Sequence, residues 1–385
     1  MIEKKIPCLP QKPDCCGCSA CEQSCQHQSI RMQADDEGFL YPVLDTERCV
    51  GCGMCERACP SLNPYEERLP KKTFAGMNPS EDIRMQSSSG GIFTLLAEHV
   101  IDCGGVVFGA RFDEQWNVVH ASARQKEDLR FFRGSKYVQS RIGSTFDETK
   151  KLLKNGIFVM FVGTPCQIAG LNHFLGRDYE QLLTIDFICH GVPSPSVWQW
   201  YIEQQAKSLS RRYWFDRLRY CRHPKAIYQN IEFRNKRKGW KQYYVVFKTR
   251  SHVAGEIETF HRDHPYMMAF LSDLDLRPSC HQCAAKRGKS HSDITIADFW
   301  NVHRVIDGFD DDKGTSLVMV NTEKGQKAFS SLACRSQEVD FNQAIQYNPA
   351  WNTPFGANSR RDYFFRHYKT ELNDIVFPDL KTNNR

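Results

Sequence analysis

Two runs of four cysteines share one spacing within the first sixty residues. Cys15, Cys18, Cys21 and Cys25 are repeated as Cys49, Cys52, Cys55 and Cys59, with Pro60 after the last. C-x2-C-x2-C-x3-C is the pattern that holds paired [4Fe–4S] clusters. Three thiolates at intervals of three sit on one tight loop and reach three irons of one cube. The fourth leads into the next segment and reaches the other cube. The spacing therefore assigns Cys15, Cys18, Cys21 and Cys59 to one cluster, and Cys49, Cys52, Cys55 and Cys25 to a second. Zinc ribbons use isolated C-x2-C pairs rather than triples with a fourth member three residues on. One-electron transfer is the chemistry these residues suit.

Residues 1–66 must form the small unit that positions both clusters, in the manner of a bacterial ferredoxin. Between its halves, IRMQADDEGFLYPVLD alternates apolar and polar residues around Asp35-Asp36-Glu37-Gly38, a hairpin signal. Asn63 to Lys72, rich in charge and carrying Pro64 and Pro70, reads as a linker. From about residue 73 helical and strand patterns alternate, so the fold class is mixed: a small two-cluster domain, then a larger α/β domain. Helices are expected over Gly91–Cys103, Thr145–Lys154 (with a Thr145…Glu148 capping box), Ser196–Leu209 and Tyr266–Leu274. Strands are expected over Val106–Phe112, Val118–Ala123, Ile157–Val162, Leu182–Ile188, Ile294–Ala297 and Ser316–Val320, and a hairpin over Tyr228–Phe233 and Tyr243–Thr249. Ile157–Val162 is apolar throughout, as in a strand covered on both faces. Thr164-Pro165-Cys166-Gln167 then opens a helix, with Thr164 as cap and Pro165 at the first position.

At 385 residues the chain exceeds one typical domain. Seventeen cysteines beside an opening, MIEKKIPCLPQKPD, that lacks the apolar stretch of a secretory signal argue for a reducing, cytoplasmic setting and for metal ligation over disulfides. No apolar run approaches the ~20 residues of a membrane span. Lys and Arg exceed Asp and Glu by 51 to 45. The surplus gathers at Arg211, Arg212, Arg217, Arg219, Arg222 and Lys225, and again at Arg234, Lys236, Arg237, Lys238 and Lys241. No nucleic-acid-binding motif accompanies these stretches, which leaves a solvated face, or docking of an acidic partner or anionic substrate.

Four further cysteines have metal-binding potential. Cys166 and Cys189 each follow the carboxyl end of an apolar strand within one β-α-β unit, and right-handed crossovers bring such ends to one sheet edge. Cys280 and Cys283 form a C-x2-C pair in RPSCHQC. Together they make the four ligands of a third [4Fe–4S] cluster; the alternative is two buried small side chains plus a redox or zinc pair. Cys8, Cys16, Cys103, Cys221 and Cys334 have no partners at metal spacing and are not expected to be ligands.

Ser87-Ser88-Ser89-Gly90-Gly91 precedes a helix, and hydroxyls, glycines and a helix N-terminus make a phosphate cradle. Arg133-Gly134-Ser135-Lys136 offers cations and a hydroxyl for a second phosphate or a flavin ring. G-x-G-x-x-G is absent, and Gly288-Lys289-Ser290 lacks the first glycine of a Walker A loop.

SSSGG (87–91), GGVVFGA (104–110), RGSKYVQS (133–140), FVGTPCQIAGL (161–171), DFICHGVPSP (186–195), RPSCHQC (277–283) and ADFW (297–300) resemble, in order, the beta subunits of coenzyme F420-dependent hydrogenases and dehydrogenases and their bacterial relatives. The resemblance covers roughly residues 73–321. It implies FAD bound by the α/β region, at Ser87–Gly91 and at Arg133, Ser135 and Lys136, with a cubane beside it. It divides that region into an N-terminal part, 73–200, and a C-terminal part, 201–385, carrying the C-x2-C and ADFW motifs. Asn301 stands where the family's ADFWG signature has glycine, which bears on a close backbone approach at that turn. The expected function is an iron–sulfur flavoprotein oxidoreductase. Electrons from a redox donor protein or F420 would pass through the clusters to FAD and a small organic substrate. The alternatives are an electron-transfer subunit without its own substrate, docking through the basic stretch, and a zinc-binding interaction module. His190, at the functional sheet edge, is the candidate proton donor or acceptor, with Asp186 and Asp298 at strand ends behind it.

Overall fold

The computed structural model describes residues 5–212, 219, 220, 223–251 and 255–378; Arg217, Cys221 and Arg222, singled out in the sequence, lie outside them. In the N-terminal unit, helix α1 (Ala20–Ser24), strands β1 (Ile30–Ala34) and β2 (Leu40–Leu44) and helix α2 (Met54–Arg57) follow one another. The hairpin is the expected one, with Ile30 opposite Leu44 and Ala34 opposite Leu40. Asp35 Oδ1 closes its turn by accepting from the backbone N–H of Glu37 and Phe39. The cysteine repeat is also a backbone repeat. Gly17 and Ser19 have φ of 69° and 62°, and Gly51 and Gly53 have 73° and 70°. Left-handed residues between successive cysteines are what curl each run into a loop.

The larger body begins with β3 (Lys72–Met77), α3 (Glu81–Gln86), α4 (Ile92–Asp102), β4 (Val106–Phe112) and β5 (Val118–Ala123). It continues through α5 (Thr145–Lys154), β6 (Val159–Val162), α6 (Pro165–Leu175), β7 (Leu182–Phe187) and α7 (Pro195–Arg212). Next come β8 (Tyr228–Asn235), β9 (Tyr244–Thr249), β10 (Glu256–Phe260) and α8 (Pro265–Leu271). The chain closes with β11 (Ile294–Asp298), β12 (Ser316–Val320), α9 (Glu323–Ser330), β13 (Arg335–Glu338), α10 (Phe341–Ile345) and α11 (Arg361–Val376).

Eight strands form one sheet in the order β13-β3-β12-β11-β7-β6-β4-β5. Its centre, β4, β6, β7 and β11, is parallel, and the outer strands run antiparallel to their inner neighbours. Strands from both 73–200 and 201–385 share this sheet. The continuous apolar strands follow from two covered faces. Val106, Phe108, Val159 and Phe161 pack to one side with Ile168 and Leu171, while Val107, Met160 and Ile185 pack to the other with Leu96 and Val100. A separate antiparallel sheet, β10-β9-β8, packs with α7, α8 and α11.

Two local expectations are corrected. Thr145 makes no capping box with Glu148: its hydroxyl donates to Ile142 O, and Ser144 reaches Glu148 instead. The second basic stretch is not a free cationic surface. Lys236 is buried and donates to Arg84 O, Ser89 O and Lys313 O, and Arg234 pairs with Asp298 in the interior. Arg237 and Lys238 meet Glu256 and Glu258 of β10, and Lys241 meets Asp310. At Thr164, by contrast, Gln167 Oε1 accepts from the Thr164 N–H at 3.0 Å, as expected.

Candidate functional site

In the N-terminal unit Cys15, Cys18, Cys49, Cys55 and Cys59 are buried, and Cys52 is exposed. The Cys21 sulfur lies within electrostatic reach of Cys15 and Cys59, and the Cys55 sulfur within reach of Cys25. Cys21 also feels Cys55, so the sulfurs of both runs lie close together. Two sulfurs already accept backbone N–H bonds, Cys25 from Ser29 at 3.3 Å and Cys49 from Gly51 at 3.4 Å. Such bonds tune a cluster's potential.

Cys166, Cys189, Cys280 and Cys283 line one cavity at the carboxyl edge of β6 and β7. Thr164 Oγ1 lies 3.2 Å from the Cys166 sulfur, and Val192 N–H donates to Cys280 at 3.4 Å. Burial pushes the Cys189 thiol up to about 11, opposed by the ammonium of Lys286. Lys286 donates to Cys189 O, and the buried Arg277 guanidinium lies beside Cys280. Four thiols flanked by two buried cations suit a cluster whose ligated form carries net negative charge. Among the described residues, no three His, Cys, Asp or Glu side chains converge closely enough for a single metal ion. Cys16, which the sequence offers no reason to single out, lines this same cavity.

Beyond the far wall of that cavity lies a larger cleft of about 510 Å³, a volume typical of small-molecule and cofactor sites. Ser87, Ser88, Ser89, Gly91, Arg133, Gly134, Ser135 and Lys136 all line it. The two loops are joined: Ser88 Oγ accepts from Ser135 N–H at 2.6 Å, and the two hydroxyls are 2.8 Å apart. Gly91, at φ 81°, caps α4 where a side chain would be strained. Arg133 donates to Thr94 and Gln86. Lys136 departs from expectation. Its ammonium turns back on its own loop and donates to Phe132 O, Arg133 O and Gly134 O. Burial pushes it down to about 7, so it shapes the loop rather than reaching for an anion.

Two polar groups facing the cleft went unrecognised in the sequence. His120 is 7% exposed; its Nε2 hydrogen-bonds Val162 O at 3.0 Å, which leaves Nδ1 a lone pair without a partner. Arg234 pairs with Asp298 through Nη1 while its Nε and Nη2 are unpartnered. Arg234 also lies over the rings of Tyr243 and Trp300, at 4.7 and 5.3 Å. Spare buried donors and an acceptor on a glycine- and serine-lined cleft fit a planar, phosphate-bearing heterocycle such as a flavin.

His190 lies on the strip Cys189–Val192 that lines both cavities. Its Nε2 is 2.6 Å from Asp273 Oδ1, and its ring stacks on Phe355 at 4.0 Å. Asp298 lines the cleft but is occupied by Arg234 and by Trp240 Nε1 at 3.0 Å. Asp186 lines neither cavity: buried, it accepts from Ser292 Oγ at 2.8 Å, so the proton-exchange role considered for it has no route. Asn301 has φ 56°, the left-handed geometry that asparagine tolerates better than most residues. The turn survives the loss of the family's glycine.

The N-terminal unit is clamped to this edge. Gly170 of α6 lets Cys18 approach so closely that a Cβ there would stand 2.8 Å from its sulfur. Arg277, fully buried, donates to Cys15 O at 2.7 Å, Leu40 O at 2.9 Å and Gln139 Oε1 at 2.9 Å, and lies 4.3 Å from the Tyr41 ring centroid. Nothing in RPSCHQC marked its arginine as a clamp. Arg361 adds a two-pronged pair with Glu37.

A cysteine-rich unit docked on the carboxyl edge of the parallel centre of a mixed sheet fits an iron–sulfur protein of the oxidoreductase class. Residues 158–344 match the model for the C-terminal region of the coenzyme F420 hydrogenase/dehydrogenase beta subunit, and residues 14–63 match a 4Fe-4S dicluster domain. Residues 158–344 are thus similar to the C-terminal domain of coenzyme F420 hydrogenase/dehydrogenase beta subunits, with a dicluster domain ahead of them. It is similar to a chain of the F420-reducing [NiFe] hydrogenase complex from Methanosarcina barkeri, at 17% identity and a TM-score of 0.45, over 83% of this chain and 95% of that one. No curated protein matches it. No helix among the described residues is long and apolar enough to cross a membrane.

Proposed function

We propose that the protein is an iron–sulfur flavoprotein oxidoreductase acting on a small organic molecule in a reducing, cytoplasmic setting. Electrons from a donor protein or F420 enter at the N-terminal unit. Cys15, Cys18, Cys21 and Cys59, and Cys25, Cys49, Cys52 and Cys55, would hold two [4Fe–4S] clusters. Cys166, Cys189, Cys280 and Cys283 would hold a third. FAD would lie against Ser87–Gly91 and Arg133–Ser135, within reach of the spare donors of Arg234 and the free nitrogen of His120. When bound, a flavin supplies the exchange between one-electron carriers and two-electron organic chemistry.

The observation that carries this reading is the shared wall. Cys189-His190-Gly191-Val192 lines the four-cysteine cavity on one side and the cleft on the other. A ligand cysteine and the candidate proton-handling histidine are therefore neighbours on one strip. His190, held by Asp273, can keep or pass a proton at the cleft. The cleft's volume supports an enzyme over a subunit without a substrate of its own.

Anaerobic purification with assay of iron, sulfide, zinc and released flavin tests the assignment. About twelve irons and one FAD per chain are expected. About eight irons without flavin would leave a two-cluster carrier and refute the flavoenzyme.

A further inference from the structure

Lys236 is 2% exposed, yet among the described residues no carboxylate pairs with its ammonium. Its three donors all go to neutral carbonyls: Arg84 O at 2.7 Å, Ser89 O at 2.9 Å and Lys313 O at 2.6 Å. These belong to three segments, the end of α3, the Ser87–Gly91 loop and the turn before β12. Gly314, at φ 102°, lets that turn come in, since a Cβ there would stand 2.8 Å from the Lys236 nitrogen and 2.6 Å from Ser89 O. The nearby carboxylates are already taken, Asp298 by Arg234 and Asp311 by Arg84. Burial, with the like charge of Arg234 beside it, pushes the ammonium down to about 7. A buried cation without a counter-charge is costly, and an anion placed close by relieves that cost.

The Ser87–Gly91 loop is thereby held from behind. Ser89 O goes to Lys236, Gly90 O accepts from Asn78 N–H at 2.7 Å, and Gly91 O accepts from Asn78 Nδ2 at 3.3 Å. In a trans peptide the carbonyl and the following N–H point opposite ways, so the Gly91 and Ile92 N–H groups are turned away from Asn78. Gly91 and Ile92 line the cleft at the N-terminus of α4, where N–H groups and the helix dipole favour an anion. The carbonyl lone pairs that would repel it are occupied elsewhere. On the flavin reading above, we propose that Lys236 is the positioning residue of the phosphate cradle. It holds the Ser87–Gly91 loop so that N–H groups face the flavin's phosphate, and it supplies behind the loop the cation which that phosphate balances. It touches neither the flavin ring nor the reacting atoms.

The test uses the full chain, purified without oxygen and freed of bound flavin, as wild type, Lys236→Met and Lys236→Gln. Equilibrium dialysis gives the dissociation constants of FAD and of riboflavin, which has the same ring system and no phosphate. Iron content reports whether the rest of the fold is intact. Methionine keeps the stem but removes the charge and every donor, and it should weaken FAD by about tenfold or more, the worth of a charged hydrogen bond. Glutamine keeps N–H donors without the charge and should fall between, so the test survives if methionine damages the fold. Both variants should keep the wild-type iron, and their riboflavin affinity should stay within about threefold of wild type. FAD affinity within about threefold of wild type in both variants would overturn the inference. So would equal losses for FAD and riboflavin, or loss of iron from both variants, the marks of a residue that merely supports the fold. A wild-type chain that binds no FAD would remove the flavin reading itself, a failure distinct from unchanged FAD affinity in the variants.

Discussion

Replacing Arg277 by methionine should loosen the N-terminal unit from the sheet edge while leaving each part folded. Methionine keeps much of the apolar stem but removes the charge and every donor. Three acceptors lose their partner, and two of them, Cys15 O and Leu40 O, belong to the N-terminal unit. Each buried acceptor left alone costs about 1–3 kcal/mol. The lost contact with the Tyr41 ring adds about 1 kcal/mol. Against this, the cation's own desolvation, several kcal/mol, is relieved. The net cost is about 3–5 kcal/mol, so the undocked population rises roughly 10²- to 10³-fold or more. Cleavage within the linker 63–72 by dilute protease, and amide exchange at Arg277 neighbours such as Gly17, report that population. Arg277→Lys, which keeps a charge but not the fork of donors, should fall between. Cleavage and exchange in the methionine variant within threefold of wild type would refute the clamp and leave docking to Gly170 packing and the Arg361–Glu37 pair.

Gly170→Val forces Cys18 away from α6 and should cost about 1–3 kcal/mol with loss of N-terminal iron; retention of full iron and unchanged thermal midpoint would show that the helix can yield. Asn301→Gly should be neutral within about 0.5 kcal/mol, whereas Asn301→Val, β-branched at φ 56°, should cost about 1–2 kcal/mol by urea titration; equal midpoints would argue that the turn relaxes. Burial holds the folded His120 neutral, pushing it down from the ordinary 6.5 to about 4. As pH falls through that window the unfolded chain takes up a proton that the folded one refuses. Stability is therefore full above about 6.5 and lost toward 4, by up to about 3 kcal/mol. His120→Gln should flatten this slope, although His264, pushed down to about 3, keeps part of it; an unchanged slope would clear His120.

Residues that act through local pattern were the legible ones. The cysteine runs, the strands around Val107 and Phe161, and the Thr164-Pro165 helix start depend on neighbours within a few positions, and the structure has them where periodicity puts them. The convergence of Ser87–Gly91 and Arg133–Lys136 on one cleft was foreseen through family resemblance rather than spacing. Cys16 escaped because Cys166, with which it shares a cavity, is distant in sequence and is brought near only by docking. Lys136 misled because a lysine after Gly-Ser looks the same whether it reaches for a phosphate or folds onto three carbonyls of its own loop. Arg234 and Lys236 look like surface charge in sequence, and only Asp298 and the carbonyls of Arg84, Ser89 and Lys313 reveal them as internal. Strands β3, β10 and β13 were not foreseen, since short strands such as Arg335–Glu338 are exposed throughout and carry no apolar alternation.

The place of β3 in the sheet has a consequence for biosynthesis. β3 leaves the ribosome directly after the N-terminal unit, yet among the described residues its strand partners are β12 and β13 alone. It must wait, with Phe74, Ala75 and Met77 uncovered, until Ser316–Val320 and Arg335–Glu338 have been made. Pairing over such a separation is slow and vulnerable to aggregation. The N-terminal unit, by contrast, completes the eight cysteines of its repeat early. Iron can therefore be loaded there while the body is still being synthesised, whereas the Cys166–Cys283 cavity cannot close until Lys289 has been made. Nascent chains stalled before residue 316 should carry the first two clusters and hold a holdase chaperone on β3, and those stalled well after residue 338 should release it.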